Sequence, residues 1–207
     1  MDEQSERTAL LTALTTEHFV LQTANTTTYA EASARSTLYV MALSSSLVAI
    51  GFVAGTTSLL LPFAAVILPA VFMLGLFTIG RLIETSLESM HCMSGIARIR
   101  AYYRTLGPAA ARQFSLESGR WPEGEAPALR FGPAVAYFGT TASMIAVINN
   151  VVAGVGIALL TRFLFPSAPF WAAAASGTVG TLALTWLFYV YQRWRFDDYD
   201  ARVRQRG

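Results

Sequence analysis

Hydrophobic and polar positions in this chain segregate over whole helix lengths rather than over single turns. Residues 36–54, 59–80, 137–161 and 170–192 form four uncharged, mostly apolar stretches. Each is long enough to cross roughly 30 Å of hydrocarbon at 1.5 Å per residue. Helices of a core in water would carry charge on their outer faces, and these carry none. The pattern therefore predicts four transmembrane helices. Gly55-Thr56-Thr57-Ser58 is too short for anything but a tight antiparallel turn, and 162–169 is nearly as short, so the spans are expected to pair as two hairpins with both turns on one side.

The apolar second span runs without a strong breaker into Arg81-Leu82-Ile83-Glu84, and Ile83, Leu87, Met90, Ser94, Ala97 and Ala101 then recur at three and four positions. The first clear stop is Gly107-Pro108, so one helix is expected to continue well past the membrane. Leu11, Leu14, His18, Leu21, Asn25 and Thr28 follow the same spacing ahead of the first span. Antiparallel pairing of the two segments sets residue 36 minus n beside residue 80 plus n. That register puts His18 near Arg98 and His91 near Asn25, which separates the two histidines and disfavours a His/His metal site. A short helix from Ala109 to about Glu117 and a loop at Trp121-Pro122-Glu123-Gly124-Glu125-Ala126-Pro127 should follow. The predicted organisation is an all-α membrane protein: a cytoplasmic N-terminal helix (1–35), a transmembrane hairpin (36–80), a cytoplasmic helical region (81–136), a second hairpin (137–192) and a cytoplasmic tail (193–207).

Composition agrees with this class, at 54% hydrophobic and 14% charged residues with a mean hydropathy of +0.45. The charge pattern adds orientation. All 15 basic residues are Arg, and Arg162 is the only one in either short turn; the other fourteen lie before, between and after the hairpins. Positive residues stay in the cytoplasm, so both termini are expected there; the absence of Lys, with abundant Ala and Gly, suggests a GC-rich bacterial genome and hence a bacterial inner membrane. The first 35 residues are polar, with five acids against Arg7 and Arg35, unlike the basic start of a cleaved signal peptide.

Little in the chain suggests catalysis. It has no nucleophile motif, phosphate-binding glycine loop or zinc signature, and neither an enzyme, a metal, a cofactor nor a nucleic-acid partner is expected. Cys92 has no second cysteine and reads as a small apolar filler. Asp197, Asp198 and Asp200 are interleaved with arginines and read as a solvated tail. Two clusters remain. Ser44, Ser45 and Ser46 share the central depth of their span with Asn149 and Asn150, either as hydrogen-bonding glue between helices or as a polar ring about an oligomer axis that carries water or ions. Arg98, Arg100, Tyr102, Tyr103 and Arg104 could bind an anion with an aromatic base, although cations are also favoured by the dipole near any helix end. Small-residue ladders at Ala142, Ala146, Asn150, Gly154 and Ala158 and at Ala173, Gly177 and Thr181 allow close helix contact, within a hairpin or between copies.

The order of a helix leading through Tyr29-Ala30-Glu31-Ala32-Ser33-Ala34-Arg35-Ser36-Thr37-Leu38 into a short hairpin, followed by a long cytoplasmic helix with an Arg-rich aromatic end, resembles the small transmembrane effectors of bacterial nucleotide-second-messenger immunity, of SLATT and Pycsar type. The resemblance lies in layout. It implies a homo-oligomer that senses a cyclic nucleotide and permeabilises the inner membrane in antiphage defence. The alternative is a non-conducting scaffold or sensor that holds a cytoplasmic partner through its helical extensions.

Overall fold

The computed structural model describes residues 2–114 and 139–206. Five α-helices occur among them: α1 (Glu3–Val53), α2 (Thr57–Arg104), α3 (Pro108–Gln113), α4 (Thr141–Leu164) and α5 (Phe170–Arg206). Four of these, all but α3, are long and apolar enough to cross a membrane. The loop expected at 121–127 lies outside the described residues, as does Tyr137.

Local chemistry accounts for the helix limits. Glu3 and Glu6 sit in the first turn of α1, where carboxylates complement the helix dipole. This helix is rich in threonine, a modest helix former, yet Thr8, Thr12, Thr16, Thr23 and Thr27 each donate a hydroxyl to the carbonyl four residues earlier at 2.8–3.0 Å. A tight turn, with Thr56 N–H donating to Val53 O at 2.9 Å, separates α1 from α2. Pro62 and Pro69 lie inside α2, each removing one intrahelical hydrogen bond without ending the helix. After Arg104 two tighter turns lead to Gly107, whose φ of 156° favours glycine, and Pro108 then opens α3. The structure ends α3 at Gln113, short of the expected Glu117, because Phe114 is extended and its carbonyl is taken by the Arg104 guanidinium. In α4 the start is at Thr141, not 137, with the Thr140 hydroxyl capping Ser143 N–H at 3.2 Å.

The chain forms two compact units. One holds the described residues up to Glu31 and those from Glu84 to Phe114. Here α1 and α2 run antiparallel: Ser89 Oγ donates to Asn25 Oδ1 at 2.6 Å, Leu21 lies over Gly95, and Thr15 Oγ1 is 3.4 Å from Tyr103 Oη. The residue numbers of these contacts fall on or within two of the register predicted from the span boundaries.

The other unit holds Ala32–Ile83 and the described residues from Gly139 onward. In it α4 and α5 pack antiparallel at close range. A Cβ placed on Gly154 would lie 2.6 Å from Gly177 O, and one on Gly177 would lie 2.5 Å from Gly154 O. The two small-residue ladders therefore face each other within one chain. Polar pairs flank this crossing, with the Thr161 and Ser176 hydroxyls at 2.9 Å and Asn150 Nδ2 donating to Thr185 Oγ1 at 3.2 Å. Near the other end Ser143 and Thr140 bracket the buried Gln192 amide, both at 3.2 Å.

Candidate functional site

The second unit has a polar centre built on Asn149, which is fully buried. Its Oδ1 accepts a hydrogen bond from Tyr39 Oη at 3.1 Å and its Nδ2 donates to Phe72 O at 3.3 Å. One amide thus links α1, α2 and α4. Its space exists because residue 75 is glycine: a Cβ there would stand 2.0 Å from Asn149 Oδ1. Asn150, 4% exposed, faces α5, donating to Thr185 Oγ1 while its carbonyl accepts from Thr181 Oγ1 at 3.2 Å. An amide in an apolar interior must find partners, and both do so inside the chain.

The serines of the first helix do not join them. Ser44 and Ser45 are exposed, and Ser46 is half-buried with its hydroxyl bonded to Ala42 O at 2.7 Å. The partner of Asn149 is Tyr39 instead. Glue between Asn149 and the serines is thus replaced by a tyrosine contact, because Tyr39 is the residue of α1 that points inward: between positions 36 and 53 it alone is buried. The sequence signal was present as the single phenol of the stretch 36–54.

In the first unit the five Arg and Tyr positions divide. Tyr103 is held between Thr15 and the ring of Phe114, with centroids 5.4 Å apart, and Arg104 donates to Phe114 O. Arg100 and Tyr102 are half-buried, and Arg98 is exposed. The guanidinium that acts on His18 is that of Arg100, two positions beyond the Arg98 of the expected register. Burial first, and that charge second, hold the His18 imidazole below its ordinary pKa. Its buried Nδ1 has no hydrogen-bond partner among the described residues. Cys92 is buried on α2, and burial, followed by the charge of Glu88, pushes its thiol up, with a backbone hydrogen bond opposing. Sequence reading missed the Asn25 and Ser89 pair, although a buried-face asparagine at helical spacing with leucines was its signal.

Comparison of the chain with protein-family models, with curated proteins and with solved structures found no match in any of the three.

Proposed function

We propose that this chain is a multi-pass protein of the bacterial inner membrane that self-associates and permeabilises the membrane in response to a cytoplasmic signal. Four long apolar helices support the membrane assignment. Large apolar side chains on their outer faces support it too, among them Phe52, Phe77, Trp171 and Trp186, each at least 67% exposed. The distribution of arginine supports two hairpins with connections 55–58 and 162–169 outside and both ends in the cytoplasm.

The observation that carries self-association is the sparse packing of α1. Between 36 and 53 it buries one side chain, Tyr39, and leaves the others half-buried or exposed, with Ser44 and Ser45 turned outward at the centre of the span. Outward hydroxyls at that depth suit contact between copies, and a ring of them would line a water path. The signal enters through the paired helices of the first unit, where the exposed Arg98 and half-buried Arg100 offer charge to an anion. A cyclic nucleotide is the candidate from the resemblance in layout, and antiphage defence is the role that accompanies it.

Ion flux from liposomes carrying the purified protein tests this reading, with and without cyclic nucleotides. Flux is expected from the parent, and its loss, with a smaller assembly, on replacing Ser44 and Ser45 together by Leu. A parent that passes no ions with any nucleotide contradicts permeabilisation. The second reading, a non-conducting scaffold or sensor, is favoured by the satisfaction of Asn149 and Asn150 within the chain, and a parent that assembles without conducting would establish it.

A further inference from the structure

An apolar groove of about 520 Å³ lies between α2 and α4, where Leu61, Ala65 and Phe72 face Val152, Gly156 and Phe163. This volume is within the range of small-ligand sites. We propose that it holds one acyl chain of a phospholipid whose phosphate is engaged by Arg162; the proposal rests on the membrane reading above.

Three observations argue for that occupant. The first is length. Leu61 and Phe72 are eleven positions apart on α2, as are Val152 and Phe163 on α4, which at 1.5 Å per residue is about 16 Å. That is about half of a hydrocarbon core of roughly 30 Å, the depth of one leaflet. At the deep end the groove meets the polar centre, because Phe72 both lines it and accepts the Asn149 hydrogen bond.

The second is charge. Arg162 adjoins Phe163 at the shallow end and is the only charged residue within 36–80 and 139–192. No carboxylate lies in the spans or in the two short connections, so its counter-ion comes from outside them. One donor of the exposed guanidinium goes to Ala168 O at 2.5 Å, and a guanidinium carries five, in a fork that matches phosphate. A second copy in the same orientation would bring its own Arg162 to the same depth, cation against cation, which disfavours α4 of another subunit as the occupant.

The third is the floor. A Cβ on Gly156 would meet nothing within 4 Å, so among the described residues no side chain fills the space directly above it, while Ala64, Ala65 and Ala153 keep the walls low.

The test uses the full chain, extracted from membranes in mild detergent, delipidated by prolonged washing and examined by native mass spectrometry and phosphate assay, with phosphatidylglycerol added back. One phospholipid per chain is expected. Gly156→Leu enters the groove from a position where a Cβ meets nothing within 4 Å, and is expected to lower occupancy about tenfold with an unchanged thermal transition. Arg162→Gln is expected to weaken phosphatidylglycerol about tenfold relative to diacylglycerol, which lacks the phosphate. Retention of no lipid, or unchanged occupancy in Gly156→Leu, overturns the proposal. So does a lipid-free dimer that Gly156→Leu dissociates, which would make the occupant a second copy. These outcomes leave the membrane reading standing, whereas release of the chain from membranes by carbonate would sink both.

Discussion

Asn149 occupies the volume that a side chain at residue 75 would need, its Oδ1 standing 2.0 Å from where a Cβ on Gly75 would be. Gly75→Ala is therefore expected to expel the amide and to break its hydrogen bonds to Tyr39 and to Phe72 O together. The expected loss is about 1–3 kcal/mol, the usual effect of forcing extra volume into a packed interior. Tyr39→Phe removes one of the two bonds and is expected to lose about 0.6–2 kcal/mol. Unfolding in detergent, followed by helical signal against denaturant, measures both. If Gly75→Ala proved no more damaging than Tyr39→Phe, the three-helix link would not depend on that glycine.

The crossing of α4 and α5 makes a second expectation. Gly154→Ala places a methyl 2.0 Å from Thr181 Oγ1 and 2.6 Å from Gly177 O, and backbone cannot yield as a flexible side chain can. It is expected to destabilise the monomer, by about 1–3 kcal/mol, whereas Gly156→Ala, facing open space, should be nearly neutral. Thermal unfolding of the two variants separates them. Equal effects would show that close approach at Gly154 is not what holds the pair.

Much of this was legible in sequence for a physical reason: charge-free stretches and a Gly-Pro stop act locally. The continuation of α2 to Arg104 and the antiparallel pairing of α1 with α2 both follow from them, with Asn25 meeting Ser89, two positions from the expected His91. The choice of partner for Asn149 was not legible. Depth along a span says which residues share a level, but rotation about the helix axis decides which meet, and that rotation is set by packing such as Tyr39 against α4. The division of the arginine cluster was hidden likewise, since Phe114, which engages both Tyr103 and Arg104, lies ten residues on and past a turn.

His18 should make the first unit sensitive to acid. Its pKa in the folded chain is below the ordinary 6.5, so the unfolded chain takes up the proton more readily. The stability it contributes is then present in full above pH 6.5 and is lost as pH falls below it. The protection of amides in 10–30 and 88–104 against hydrogen exchange, taken relative to the intrinsic rate at each pH, is expected to fall on acidification through that window, and to do so less in His18→Gln. An identical pH profile in the variant would remove His18 as the cause.

Cys92 offers a simple check on the same pairing. It is the only cysteine, it is buried, and its raised pKa lowers the fraction of reactive thiolate. Alkylation by iodoacetamide at neutral pH is expected to be at least about tenfold slower in the folded protein than in denaturant. Comparable rates would place the thiol in solvent, contrary to the packing of α2 described above.

Membrane topology is tested most directly by labelling single cysteines, in a Cys92→Ala background, with a membrane-impermeant maleimide on intact spheroplasts. Ser58→Cys and Ser167→Cys are expected to label at once, while Gln4→Cys and Ala201→Cys should label only after the membrane is permeabilised. Labelling of Gln4→Cys or Ala201→Cys in intact cells would contradict a chain that crosses four times with both ends in the cytoplasm.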